Sequence, residues 1–356
     1  MSRWRTSRWY VFIVLPLLGV AVGLVILRGP DWHLVQDAFT VVSWEWVVVA
    51  IALNLLSVIT RSLSWDTAVK ESMPPPHPPY RLVFSAFCVG LFGNAVLPGR
   101  VGELARVAVL SRRMPGRSGT TARLVGSVFA HRMFDLFPAI VLVVWVLLEA
   151  KIPKWAYFSI EVALGVGIVL FVAAVLLARM HQKEAVEGVG RMRLLWARAR
   201  QGLGVMRRPA AAATAGAFQF AGWTCQLFAV WSAMFAFHIH QPLVAAGLVL
   251  VLMNVATIFP LWPGNVGLTQ AAIALPLVNY GVDYARGIAF GIGLQLIEAS
   301  VGIGIGLVFL AREGLSYAML KRMEDDEEEE VAELTERELD EEEPDRAERA
   351  RARVSG

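Results

Sequence analysis

The chain has 356 residues, of which 56% are hydrophobic and 18% charged, a balance that points to the bilayer rather than water as its solvent. Its formal charge of +3 hides an asymmetry: residues 324–356 hold 16 acidic and 5 basic side chains, and the other 323 hold 14 acidic and 28 basic. A basic body whose charges sit in short loops between apolar runs argues against a nucleic-acid-binding surface and fits Lys and Arg facing an anionic cytoplasmic leaflet.

Taken in chain order, Arg3, Arg5 and Arg8 precede an apolar run of about 18 residues that ends Val-Ile-Leu-Arg. That run is longer than a leader's and lacks the small residues of a cleavage site, so it reads as a first span over 9–27. Further spans are predicted at 41–60, 122–149, 155–178, 210–236 and 286–312, each long enough to cross about 30 Å of hydrocarbon. Two more apolar stretches, 82–97 and 243–262, end abruptly in Pro-Gly. Candidate cytoplasmic loops (1–8, 61–81, 107–123, 179–208 and 312–323) share 21 Lys and Arg, against 4 on the opposite side, which puts both termini in the cytoplasm. Trp9, Trp32, Trp155 and Trp262 fall near run ends, as interfacial tryptophans do. Cys88 and Cys225 lie inside apolar runs and read as small buried hydrophobes, with no disulfide framework or metal spacing.

This orientation requires the stretch between Arg81 and the Arg112, Arg113, Arg117 cluster to enter the membrane and return on the same side. Residues 243 to about 283 must do so from the opposite face. Both are expected to be re-entrant helical hairpins, a geometry tolerated at depth only where protein or a wet cavity receives it. Pro98-Gly99-Arg100-Val101-Gly102 matches Pro263-Gly264-Asn265-Val266-Gly267 at an offset of 165, which also carries 122–149 onto the last span. The expected fold is therefore an all-α polytopic membrane protein. It has about six full spans and two re-entrant hairpins in an inverted repeat, with halves at about 9–150 and 155–315, and both termini cytoplasmic. The transmembrane domain is expected over 1–323. Residues 324–356 open on an acidic run, Glu324–Glu330, and are expected to be a disordered cytoplasmic tail.

A charge in mid-span costs about 2.5–3.5 kcal/mol on insertion scales and needs a reason. Asp135 lies at the midpoint of 122–149, and His131 and Arg132 share its helical face. Glu298 and Gln295 occupy the corresponding part of the last span. An Arg132–Asp135 ion pair that merely locks helices is the plain alternative to a polar path. At the hairpin tips, Pro98, Gly99 and Gly102 keep the backbone accessible, and a helix N-terminus beside Arg100 suits a phosphate. Glu103 and Arg106, one turn on, are spaced to pair. In the second tip, Pro263, Gly264 and Gly267 repeat the shape, while Asn265 and Gln270 replace the charges by amides.

The runs Gly93-Asn94-Ala95-Val96-Leu97-Pro98-Gly99-Arg100-Val101-Gly102-Glu103, His131-Arg132-Met133-Phe134-Asp135 and Pro260-Leu261-Trp262-Pro263-Gly264-Asn265-Val266-Gly267 resemble the lysylphosphatidylglycerol synthase transmembrane-region family, over roughly residues 10–315. His131 stands where many relatives carry an acidic residue, and Asn265 where Gly is common. In full-length members a soluble aminoacyl-transferase domain follows the membrane part. Here an acidic tail follows instead, so the expectation is a flippase-like chain without that domain and without synthase activity.

The resemblance implies a multi-pass protein of a bacterial plasma membrane that moves a lipid between leaflets. The expected substrate is a phospholipid, such as aminoacylated phosphatidylglycerol, or a polyprenyl-phosphate lipid, supplied by a separately encoded lipid-synthesising enzyme where one is needed. The expected substrate-binding set is Arg100, Glu103, Arg106, His131, Arg132, Asp135, Asn265, Gln270, Gln295 and Glu298, with no cofactor, no metal and no nucleic acid. Two rival readings are an ion-coupled small-solute transporter and an intramembrane lipid-modifying enzyme with His131 and Asp135 as an acid–base pair.

Overall fold

A computed structural model describes residues 31–96, 102–114, 120–179, 205, 208–257 and 265–312. The expected first span at 9–27, the tail at 324–356 and the tip residues Pro98, Gly99, Arg100, Pro263 and Gly264 lie outside the described residues. Among the described residues there are ten helices and no strand. Three of them are long and apolar enough to cross a membrane: α2 (Trp44–Ser72), α5 (Thr120–Glu149) and α10 (Tyr284–Arg312). At 1.5 Å per residue each is about 45 Å long, beyond the roughly 30 Å of hydrocarbon. Two others, α6 (Lys154–Arg179) and α7 (Pro209–Ala236), approach that length, but Gln219 and Gln226 dilute the apolarity of α7.

The connection expected between 27 and 41 contains a short helix, α1 (Trp32–Thr40), capped where the Asp31 carboxylate accepts the His33 amide at 3.0 Å. The span expected to end at residue 60 instead continues as α2 to Ser72, so 61–72 is not a loop. Arg61, Asp66, Lys70 and Glu71 break the apolar run, which is why it looks finished. Yet Trp65, Ala68, Val69 and Ser72 are spaced as one helical face and are buried. Lys70 pairs with Asp66 at 2.6 Å one turn back, and the prolines from Pro74 onward end the helix.

Two helical hairpins follow the same plan: α3 (Tyr80–Val96) with α4 (Gly102–Arg112), and α8 (Leu243–Ala256) with α9 (Leu268–Val278). The second arm of each is 11 residues, about 16 Å, half of what a crossing needs. In the first hairpin the arms touch through backbone. A Cβ on Gly102 would lie 1.9 Å from the Gly90 carbonyl oxygen and 2.6 Å from the Asn94 nitrogen.

Among the described residues the most extensive helix–helix contact joins α2 to α7, and the two run antiparallel. The Ser43 amide donates to the Ala236 carbonyl at 2.9 Å, the Ser57 hydroxyl to the Gly222 carbonyl at 2.8 Å, the Ser64 hydroxyl to the Ala215 carbonyl at 2.9 Å, and Arg208 pairs with Glu71 at 2.9 Å. Each pair steps down α7 as it steps up α2. Ser57 and Gly222 are 165 positions apart, and the same shift turns the Ser43–Ala236 contact into the Arg208–Glu71 contact. Applied to the starts of α2, α3, α4 and α5, the shift gives 209, 245, 267 and 285, against observed starts of 209, 243, 268 and 284.

Two apolar cores result, one around each hairpin. Phe87, Val89 and Leu110 pack with Trp65, Leu124, Val301 and Leu310. Leu248, Leu250, Ile273 and Leu277 pack with Leu142, Val146, Phe290 and Leu294. Helices α5 and α10 pass from one core to the other, and Asp135 and Glu298 lie where they change cores, next to Phe134 and Ile297.

Because the α3–α4 contact is backbone on backbone, Gly102→Ala is expected to open it and lower the thermal midpoint of the purified protein. At Gly304 an added Cβ meets nothing within 4 Å, so Gly304→Ala is expected to hold or gain about 0.5–1 kcal/mol from helix propensity. Equal midpoints for the two variants would contradict the packing described.

Candidate functional site

At the junction of the two cores three helices, α2, α5 and α7, meet at Asp135, which is 8% exposed on α5. Its Oδ1 accepts from Arg61 Nη2 of α2 at 3.1 Å, from Trp223 Nε1 of α7 at 2.9 Å and from Gln219 Nε2 of α7. Its Oδ2 accepts from Arg132 Nη1, one turn back on α5, at 3.1 Å. Both oxygens are thus committed. Removing a buried carboxylate from water is tolerable only where donors replace the hydration in this way.

From Asp135 the network spreads to either side. Arg132 turns its other nitrogen to Glu103 of α4, tying the first hairpin to α5. Glu103 also faces Arg106, with 3.9 Å between Oε2 and Nη2. The Arg106 guanidinium lies 4.7 Å from the centroid of Trp65 and 5.7 Å from that of Phe87, a cation–π enclosure in a residue only 4% exposed. Its Nε and Nη2 have no hydrogen-bond partner. On the other side Arg61 Nη1 reaches Gln226 Oε1 at 3.5 Å, and Gln226 lies beside Glu298 of α10.

His131 is fully buried, edge-on to Phe87 with ring centroids 5.9 Å apart, and its Nδ1 has no hydrogen-bond partner. It shares a face with Asp135, yet Asp135 is taken by other donors.

The sequence-predicted set therefore divides. Glu103, Arg106, His131, Arg132, Asp135 and Glu298 come together in one cluster. Gln270 and Gln295 bond to each other across α9 and α10, where Gly291 lets the Gln270 backbone approach to 3.2 Å from its would-be Cβ. Gln270 Oε1 also accepts the Gly267 amide at 2.5 Å, capping α9. Asn265, at φ +43 in the left-handed region that Asn tolerates, uses its Nδ2 to hold the Ala256 carbonyl at 2.9 Å. Gly267, at φ +92, takes a backbone angle that suits glycine.

Sequence reasoning missed Arg61, Gln219, Trp223 and Gln226. The last three fall at i, i+4 and i+7 on one face of α7, a polar stripe on a span-length helix that was legible in the spacing. Beside the cluster, Pro138, Val141, Leu142, Trp145, Phe220, Trp223, Thr224 and Leu227 line an apolar groove of about 150 Å³ between α5 and α7. Trp223 is common to both: its ring walls the groove and its N–H meets Asp135.

These features define a multi-pass membrane protein with a buried, internally paired charge cluster between its helical hairpins. The model of the family described as Lysylphosphatidylglycerol synthase TM region matches residues 11–306, and the chain belongs to that family. No curated protein and no solved structure matches it. The family is one of membrane proteins involved in lipid handling.

Since Asp135 answers four donors, Asp135→Asn is expected to cost about 3–5 kcal/mol by stranding Arg61 and Arg132. Trp223→Phe, which removes a single donor, should cost about 1.5–3 kcal/mol. Denaturant unfolding of the two variants in detergent checks the ranking, and a larger loss for Trp223→Phe would contradict it.

Proposed function

We propose that the chain is a lipid translocator: it carries the headgroup of a phospholipid between leaflets along the charged cluster while the acyl chains remain in apolar surroundings. The observation that carries this reading is the junction of the Asp135 cluster with the α5–α7 groove through Trp223. A ligand polar at one end and apolar at the other matches that junction. A small polar solute has no use for the groove, so the lipid reading is preferred over the solute transporter.

The reading also rests on an inverted repeat. A two-fold axis through the Ser57–Gly222 contact would exchange the two ends of the α2–α7 pair, and the 165-residue shift has that effect. Repeats of this kind support alternating access, with one half rocking against the other around a fixed site. Helices α4 and α9, too short to cross, act as the returning arms of re-entrant hairpins. Arg100 of the first Pro-Gly motif would offer a bidentate fork to the phosphate.

The substrate is a lipid with a phosphate-bearing headgroup, either a glycerophospholipid such as aminoacylated phosphatidylglycerol or a polyprenyl phosphate. No chemistry is performed on it, and the site lies in a plasma membrane. The test is leaflet exchange of labelled lipids in liposomes containing the purified chain, across a panel of headgroups. Exchange above protein-free liposomes is expected. In Arg132→Gln it should fall about tenfold or more, since a lost charge-assisted pair costs at least ~1.5 kcal/mol. Exchange of no lipid by folded protein would overturn the reading.

A further inference from the structure

The three carboxylates of the cluster are not equivalent. Asp135 accepts from two arginines, an amide and an indole. Glu103 lies between Arg132 and Arg106. Glu298 makes no ion pair among the described residues. Beside it lie the neutral Gln226 amide and Arg61, whose guanidinium is already committed to Asp135 and Gln226. Among the described residues nothing else around it supplies a counter-charge. From α7 it meets Gln226, with Cys225 the ionisable neighbour in sequence. Helix α9 has no ionisable side chain. Helix α3 brings Tyr80, Arg81 and Cys88, of which Cys88 packs a carbonyl against Gly306, two turns further along α10. The His33 and Asp37 side chains of α1 are exposed, as are Arg286 and Arg312 at the ends of α10. Behind Arg61 stand Asp135 and His131 of α5.

Counting charges shows what this does. Among the described residues, with Glu298 ionised, Arg61, Arg106 and Arg132 face Glu103, Asp135 and Glu298, and these charges balance when His131 is neutral. With Glu298 protonated the cluster carries one positive charge, enough to accept one phosphate anion. We propose that Glu298 is the proton carrier of this site, and that its protonation and the binding of an anionic phosphate headgroup are linked. This deepens the lipid-translocator reading and rests on it. The proton enters from one aqueous side, travels on the Glu298 carboxyl while the anion occupies the cluster, and leaves to the other side with the headgroup. No covalent bond changes, and the pair crosses without net charge.

The sign follows from linkage. The anion binds most tightly where Glu298 is already protonated, and above that range affinity falls about tenfold for each pH unit. The experiment titrates the purified full-length chain in detergent with short-chain phosphatidylglycerol, and separately with glycerol phosphate, between about pH 5 and pH 9. A pH dye follows proton uptake. One proton taken up per lipid bound is expected on the alkaline limb, with the tenfold slope. Glu298→Gln should bind with the low-pH affinity at every pH and take up no proton, and Glu298→Asp should restore the slope at a shifted midpoint. Linkage with glycerol phosphate as well would assign recognition to the phosphate itself, and linkage with the lipid alone would make the acyl chains part of the ligand. Wild-type binding without proton uptake, a slope that persists in Glu298→Gln, or one that disappears in His131→Gln instead, would each overturn the inference. Proton-linked binding with no leaflet exchange would keep it and remove the translocator reading, while exchange with pH-independent binding would do the reverse.

Discussion

A carboxylate in the middle of an apolar helix must be given donors, and the way Asp135 receives them organises the rest of this protein. Arg61 comes from α2, Gln219 and Trp223 from α7, and Arg132 from its own helix. Through Arg132 the network then gains Glu103 and the first hairpin, and through Arg61 it gains Gln226 and α10. In a bilayer the apolar faces of these helices have no solvent-driven reason to prefer one another over lipid, so close small-residue packing and polar contacts select the partners. Gly222 against the Arg61 side chain and Gly102 against Gly90 supply the first, and the Asp135 network supplies the second.

The same arrangement makes the site usable. A cluster that satisfied every atom would only hold helices together. Here Asp135 is saturated, whereas Arg106 keeps Nε and Nη2 without hydrogen-bond partners beneath Trp65 and Phe87, Arg61 keeps its Nε, and Glu298 leans on an amide. In the proposed reading Asp135 is a structural anchor and Glu298 is left to respond. The asymmetry also separates the halves. The first contributes Arg61, Glu103, Arg106, Arg132 and Asp135, while the second contributes mainly amides, an indole and one acid.

Much of this was legible in the sequence. The Asp135, Arg132 and Glu298 charges stood out because apolar runs make any ion conspicuous, and the spacing of Glu103 and Arg106 announced their pairing. The 165-residue offset, read from two short Pro-Gly motifs, recurs in the helix starts and in the Ser57–Gly222 and Arg61–Gln226 contacts. Arg61 was hidden for a physical reason: a charge near the end of an apolar run reads as the start of a loop, whereas a helix can carry it inward when a carboxylate waits there. Gln219 and Gln226 carry no charge and were passed over, although with Trp223 their spacing marks one polar face of α7. Gln270 and Gln295 bond to each other, since Gly291 brings α9 and α10 close enough for their amides to meet, a pairing that spacing within one helix does not reveal.

The central claim is that the cluster is a path and not a lock, and access to it is the most direct measure. Gln226, between Arg61 and Glu298, can be replaced by cysteine in a chain from which the free Cys88 and Cys225 have been removed. The variant is then exposed in sealed vesicles to a membrane-impermeant thiol reagent from either side. The account predicts modification from both sides, slowed by anionic phospholipid. Modification from one side only, or from neither in a folded protein, would contradict it.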